Sequence, residues 1–218
     1  MLLFLDTANI NEIRHAVRLG VVGGVTTNPS LIAKEGKGDY RQVIREIAGI
    51  VQGPISVEVL GQEAGGMIEE ARTLASWAPQ VVVKVPITEA GLEAASVLSR
   101  DGVKCNLTLC FSVNQAMLAA NVGAAYVSPF VGRLDDVGQD GMVMVKETVD
   151  IYRRYGVTTQ VIAASIRHPL HCVAAAQAGA DVATVPYKVL LQMVQHPLTD
   201  LGVARFLEDW RKLSLRQS

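Results

Sequence analysis

The chain has 218 residues, half of them hydrophobic, with 20 Lys and Arg against 21 Asp and Glu. That length suits one sizeable core and one domain, 1–218, and the near-balanced charge points away from nucleic acid and other polyanions. No apolar run approaches the ~20 residues of a membrane span, and Cys105, Cys110 and Cys172 form no CxxC pair, which fits a reduced, cytoplasmic protein.

The opening Met1-Leu2-Leu3-Phe4-Leu5 is apolar but stops at Asp6 and has no basic leader, so it reads as a strand and not as a signal peptide. From there short apolar strands alternate with amphipathic stretches. Strands are predicted at Leu2–Asp6, Val21–Thr26, Ile55–Val59, Val81–Val85, Val103–Leu107, Ala125–Ser128, Thr159–Ala164 and Asp181–Val185. Helices are predicted at Asn11–Leu19, Tyr40–Val51, Met67–Trp77, Gly91–Arg100, Val113–Ala120, Met142–Tyr155 and Leu170–Ala178. Gly20, Gly53, Gly102, Gly123, Gly156 and Gly179 each lie shortly before a strand, where a helix C-cap belongs.

Eight such units imply an α/β chain folded as a single (β/α)8 TIM barrel. A doubly wound open sheet is the alternative, but it would want a Gly-rich phosphate loop, and neither GxGxxG nor GxxxxGK[ST] is present. Beyond the eighth unit, Pro197–Leu213 is an additional C-terminal helix within an extension of about 197–218. Its apolar residues Leu201, Ala204, Leu207, Trp210 and Leu213 recur at helical spacing. It is either a lid over the barrel's own base or an arm that packs on a neighbouring subunit.

Residues two apart share a face of a strand. One face of each run is almost wholly apolar: Val57 and Val59; Val81, Val83 and Val85; Val103, Cys105, Leu107 and Leu109. The other face ends in Asp6, Asn28 (after Thr26), Glu58, Lys84, Asn106 and Thr108, Ser128, and Ser165 (in phase with Thr159, Val161 and Ala163). Seven successive strands thus deliver a polar group near their C-terminal ends, where a barrel's active site lies. Packing does not explain seven in phase, because each costs desolvation.

Lys84 stands out within Val81-Val82-Val83-Lys84-Val85-Pro86. A lysine is almost never buried unless paired or working. Burial disfavours an ammonium, and a neutral amine attacks a carbonyl to form a Schiff base. The bland alternative is a strand-end lysine snorkelling to solvent. Asp6 and Glu58 are acid/base candidates. His168 and His171, three apart, lack an obvious third metal ligand and read as surface histidines; no metal is expected. Arg133 and Arg167 follow the sixth and seventh strands, where guanidinium groups and a hydroxyl can hold a phosphate. Two solvated surface arginines are the alternative.

At these residues the chain resembles the transaldolase family, specifically its small bacterial and archaeal branch. The matching stretches are Asp6-Thr7-Ala8-Asn9, Gly24-Val25-Thr26-Thr27-Asn28-Pro29-Ser30-Leu31, Ser56-Val57-Glu58-Val59 and Val82-Val83-Lys84-Val85-Pro86. They continue with Asn106-Leu107-Thr108-Leu109-Cys110-Phe111-Ser112, Ser128-Pro129-Phe130-Val131-Gly132-Arg133 and Ala164-Ser165-Ile166-Arg167, in family order. A relative, fructose-6-phosphate aldolase, shares the fold and the lysine but carries glutamine in place of Glu58 and tyrosine in place of Phe130.

The resemblance implies transfer of a dihydroxyacetone unit from sedoheptulose 7-phosphate or fructose 6-phosphate to an aldose phosphate, in the non-oxidative pentose phosphate pathway. Lys84, Asp6, Glu58 and Thr108 would be catalytic. Asn28, Thr26, Asn106, Ser128 and Phe130 would surround the three-carbon unit, and Arg133, Ser165 and Arg167 would hold the phosphate. No cofactor is implied, since the lysine supplies the electron sink. The partners implied are sugar phosphates and further copies of the chain, in a homo-oligomer of five or ten. The rival readings are the aldolase, a lyase releasing free dihydroxyacetone, and a non-catalytic sugar-phosphate-binding barrel.

Overall fold

The computed structural model of the chain describes residues 1–36 and 39–215. Eight parallel strands close into a barrel in sequence order: β1 (Leu2–Asp6), β2 (Gly24–Thr26), β3 (Ile55–Glu58), β4 (Val81–Pro86), β5 (Cys105–Cys110), β6 (Tyr126–Pro129), β7 (Gln160–Ala163) and β8 (Val182–Val185). Closure is made by β1 against β8, with Leu2 opposite Val182 and Leu5 opposite Val185. The helices are α1 (Ile10–Arg18), α2 (Pro29–Lys34), α3 (Tyr40–Ala48), α4 (Ala64–Ala75), α5 (Glu89–Arg100), α6 (Val113–Asn121), α7 (Val131–Asp135), α8 (Gly141–Tyr155), α9 (Pro169–Ala178), α10 (Tyr187–Val194) and α11 (Pro197–Leu215). This is the (β/α)8 barrel with an added C-terminal helix that the pattern predicted. The short α2, α7 and α10 were not foreseen, being too brief for a helical period to show.

Local chemistry starts most helices. Asn9, Asn28, Asp39, Thr88, Ser112 and Asp140 each cap a helix by accepting backbone N–H groups of its first turn. Helix ends use left-handed glycines, as at Gly156 (φ 62°) and Gly179 (φ 84°). Gly53 is the exception among the six predicted caps. It is not left-handed; a Cβ there would strike the carbonyl oxygen of Gly23.

The main core lies between strands and helices. Leu5, Val25, Val57, Val83, Val85, Leu107, Val127 and Val185 point outward into it. A small second cluster of Phe4, Ile162 and Val182, with Tyr126 against it, fills the inside of the barrel.

Two strands depart from the predicted alternation. In β7, Val161 and Ala163 belong to the outer core and Ile162 faces inward, so the phase is one residue off the prediction. Both faces of this strand are apolar, and period-2 alternation cannot tell them apart. In β5, a register shift between Leu107 and Cys110 coincides with a left-handed Leu109 (φ 56°). Leu109, predicted to face the helices, is exposed, and Cys110 is buried in the outer core instead.

From residue 197 to 214 every residue of α11 except Gly202 is exposed. The helix therefore buries none of its apolar stripe on its own barrel, which excludes the lid reading. The tail of the predicted extension, 216–218, lies outside the described residues.

Candidate active site

The C-terminal ends of the strands surround a cavity of about 140 Å³. Asp6, Thr26, Asn28 and Lys84 line one side; Ser128, Phe130, Arg133, Ala164 and Ser165 line the other; Thr184 completes it from β8. A barrel strand delivers inward side chains here because its period is two and its C-terminal end opens to solvent.

Lys84 is 5% exposed, as its apolar strand predicted. Nζ lies 3.0 Å from Glu58 Oε2 and donates to the Thr27 carbonyl oxygen at 3.1 Å. The two strands set the pair directly, since Glu58 and Lys84 are register partners across β3 and β4. The amine does not snorkel. Its burial is offset by a carboxylate and a backbone carbonyl.

Glu58 is itself held from outside the barrel. Its N–H donates to the Tyr40 hydroxyl at 3.2 Å, and that hydroxyl donates to the Glu58 carbonyl at 3.4 Å. Tyr40 stacks edge-on against Trp77. Burial pushes the Tyr40 phenol up to about 12, so it stays a donor at any working pH.

Asp6 Oδ1 accepts from Thr26 Oγ1 at 2.7 Å, and Thr26 Oγ1 meets Thr184 Oγ1 at 2.5 Å. Burial pushes the Asp6 carboxyl above its ordinary value of 3.8; the Thr26 hydrogen bond and Lys84 oppose this, and Glu58 adds to it. A carboxylate so placed is a stronger base than one in water.

Below the cavity, Ser128 Oγ donates to Asn106 Oδ1 at 2.7 Å, and Asn106 Nδ2 donates to Ser56 Oγ at 3.2 Å. Asn106 thus braces Ser128 and does not line the cavity. Asn28 spends its Oδ1 on the N–H of Leu31, capping α2, which leaves its amide N–H groups for the cavity. Among the described residues, the buried Thr108 Oγ1 has no hydrogen-bond partner. An orphaned hydroxyl of this kind needs a water or a ligand.

At the far side, Phe130 meets Phe111 edge-on, with ring centroids 5.8 Å apart. Ser165 reaches the cavity although its strand is out of phase, because a left-handed backbone (φ 59°) turns it back. Arg133 lines the cavity from the middle of the five-residue α7. Arg167 does not line it; its guanidinium is 2.7 Å from Asp136 Oδ2. His171, expected at the surface, is buried and paired with Asp135, because its ring sits between α7 and the loop before α9. Thr27, Tyr40 and Thr184 were missed. Thr184 is polar and in phase in Val182-Ala183-Thr184, so extending the inward-face reading to the eighth strand would have found it. Thr27 acts through its backbone, and no side-chain pattern marks that.

Fold and site together define the class: a (β/α)8 barrel with a lysine buried among carboxylates at its C-terminal mouth. The family is shown by the sequence. The model of the transaldolase/fructose-6-phosphate aldolase family matches residues 3–216, and the chain belongs to that family. A protein described as probable transaldolase from Dehalococcoides mccartyi is 60% identical over 98% of this chain and 99% of its own length. Probable transaldolases from Heliobacterium modesticaldum and Caldicellulosiruptor saccharolyticus are each 61% identical over 98% of this chain, and over 99% and 98% of their own lengths. Among solved structures, thiamine phosphate pyrophosphorylase from Pyrococcus furiosus superposes with a TM-score of 0.59, covering 88% of this chain and 93% of that one. At 14% identity that likeness concerns the fold alone.

Proposed function

We infer that the chain is a transaldolase that moves a dihydroxyacetone unit between sugar phosphates through a Schiff base on Lys84. The observation that carries this is a lysine 5% exposed, 3.0 Å from Glu58, opening into a cavity shared with Asp6.

Glu58 takes the proton that the Lys84 ammonium must lose before it attacks the C2 carbonyl of the ketose phosphate. The carbinolamine loses water, with Glu58 and a water on Thr108 Oγ1 carrying the protons, and a protonated imine forms. Asp6 then removes the proton of the C4 hydroxyl. The C3–C4 bond breaks, its electrons enter the iminium, and an aldose phosphate departs. The enamine stays on Lys84 until a second aldose phosphate adds by the reverse steps. Ser128 and the Asn28 amide hold the hydroxyls of the three-carbon unit, with Asn106 bracing Ser128, and orientation of this kind lowers the barrier. Arg133, Ser165 and Arg167 hold the phosphate, Arg167 after exchanging Asp136 for a phosphate oxygen. The chemistry rests on the lysine as electron sink.

Phe130 and Glu58 favour transfer over release. A phenyl ring offers no proton to the enamine, so the adduct outlives the first aldose and waits for the second. Borohydride reduction with fructose 6-phosphate, read by mass spectrometry with and without erythrose 4-phosphate, tests the reading. An adduct on Lys84 that the aldose depletes supports it. Equally fast cleavage of fructose 6-phosphate without any acceptor would replace it with the aldolase. Absence of any adduct would leave a sugar-phosphate-binding barrel.

We read the chain as one unit, cytoplasmic, placed in the non-oxidative pentose phosphate pathway and working as a ring of five or as ten subunits. The uncovered apolar stripe of α11 supports assembly. The helix contributes nothing to its own core, so a chain ending at Asp200 keeps its barrel. Light scattering should then show a smaller assembly; an unchanged mass would reject a role for α11.

A further inference from the structure

His171 and Asp135 resemble two members of a nucleophile-activating triad, and their geometry shows a different task. His171, in the first turn of α9, is 9% exposed. Its Nε2 lies 2.9 Å from Asp135 Oδ2, and its Nδ1 faces the backbone N–H of Arg167 at 3.3 Å. A backbone N–H only donates, so Nδ1 accepts and the ring proton sits on Nε2, donated to Asp135. Both nitrogens are engaged, and the ring has no lone pair left for a substrate. Asp135 is fixed in turn, because its Oδ1 accepts the N–H of Gly141 at 3.1 Å. The exposed His168 ring lies 3.8 Å from the His171 ring, centroid to centroid. Burial lowers the His171 pKa, with His168 and Arg167 acting the same way and Asp135 opposing, so the neutral ring persists at neutral pH.

This pair ties two pieces of the phosphate end together. One is α7, which carries Arg133 and Asp135, with Asp136 at its C-cap. The other is the loop from β7 to α9, which carries Ser165 and Arg167. The loop is seated flush on α7, since a Cβ at Gly132 would strike the Ser165 carbonyl and the Arg167 side chain. At its start the loop accepts the Val131 N–H on the Ala164 carbonyl at 3.0 Å, and two side-chain tethers hold it further along. The Arg167–Asp136 ion pair is half exposed, so it contributes little and exchanges readily. In the Asp135–His171–Arg167 chain the ring is buried while Asp135 keeps 39% of its side chain exposed, and the ring acts on the Arg167 backbone rather than on its guanidinium. Arg167 can therefore release Asp136 and take another anion without its Cα leaving place.

We propose that Asp135 and His171 are the positioning residues that hold Arg167 beside Arg133, and that they thereby set the preference for phosphorylated over unphosphorylated substrates. This rests on the reading of Arg133 and Arg167 as the phosphate site. Without the ring acceptor, the Arg167 N–H loses its partner and the loop loses its seat; the reacting groups around Lys84 are not touched.

The test is steady-state kinetics of the full chain with fructose 6-phosphate and, separately, with unphosphorylated dihydroxyacetone as donor. His171→Leu should raise KM for fructose 6-phosphate up to about tenfold, the scale of one lost backbone hydrogen bond, with kcat and the dihydroxyacetone KM near the parent values. His171→Asn should recover most of that loss, because its Oδ1 can stand where Nδ1 accepts. If the Leu variant does not fold, Asp135→Asn carries the test, with the same selective rise at smaller size. Equal effects on both donors, or an unmoved fructose 6-phosphate KM in the folded variants, would overturn the proposal. Arg167→Ala separates the two readings. If it raises that KM while the His171 and Asp135 variants do not, only the positioning role falls. If it does not, the phosphate site itself is elsewhere.

Discussion

The two sides of the cavity are built on opposite plans. On the side of β1 to β4, the groups proposed to react sit on strands and are locked: Lys84 by Glu58 and Thr27, Glu58 by Tyr40, Asp6 by Thr26, which Thr184 holds in turn. On the side of β6 and β7, the cations sit on a short helix and a loop, and Arg167 and Asp136 keep 51% and 58% of their side chains exposed. Bond making needs fixed distances and shifted protonation, which burial on strands provides. Anion capture needs a cation that can leave one partner for another, which a loop at the rim provides.

If that contrast is right, variants on the first side should destroy chemistry and those on the second should weaken binding. The largest effect belongs to Lys84→Arg. It keeps a cation beside Glu58 but cannot form the imine, so activity should fall to background and the borohydride adduct should vanish with the fold retained. An adduct mapped to Lys104 or Lys188 would break the assignment.

Asp6→Asn comes next. Imine formation should persist while cleavage falls about 10²–10⁴-fold, the usual share of a general acid/base. The same variant reports on stability. The folded Asp6 pKa is raised above 3.8, so ionising it costs the native state more than the unfolded one. Removing that charge should raise Tm at neutral pH, and the gain should fade as pH falls through the raised folded pKa and be gone below 3.8, where the carboxyl is neutral in both states. Wild-type turnover, or a gain that persists in acid, would count against the role of this group.

On the second side, Arg133→Ala should raise KM for phosphorylated sugars about 10- to 100-fold, the worth of a charge-assisted hydrogen bond. Arg167→Ala should cost less, because the parent enzyme must first break the Asp136 pair. Equal effects on free dihydroxyacetone would make both arginines structural and erase the contrast. The smallest effect is expected at Phe130→Tyr, between the two sides. The added phenol should raise release of free dihydroxyacetone several-fold with little change in KM; measuring dihydroxyacetone from fructose 6-phosphate alone checks it.

The amino-acid sequence by itself determined the barrel, because eight apolar runs separated by amphipathic stretches admit few topologies. It also singled out the proposed reacting set, since Asp6, Glu58 and Lys84 are each the lone ionisable residue of an otherwise apolar or neutral strand. It could not determine the phase of β7, where both faces are apolar, nor the left-handed turn at Ser165 that restores that side chain to the cavity. Nor did it separate Arg133, which lines the site, from Arg167, which is drawn to Asp136. Those outcomes depend on what a rim residue meets across space, and sequence periodicity carries no record of partners on another element. Tertiary structure alone decided that His171 is buried and tied to Asp135, and that the stripe of α11 finds no cover on its own barrel. The physical reason is the same in each case: periodicity reports which face a residue shares, while only the packed chain decides what that face touches.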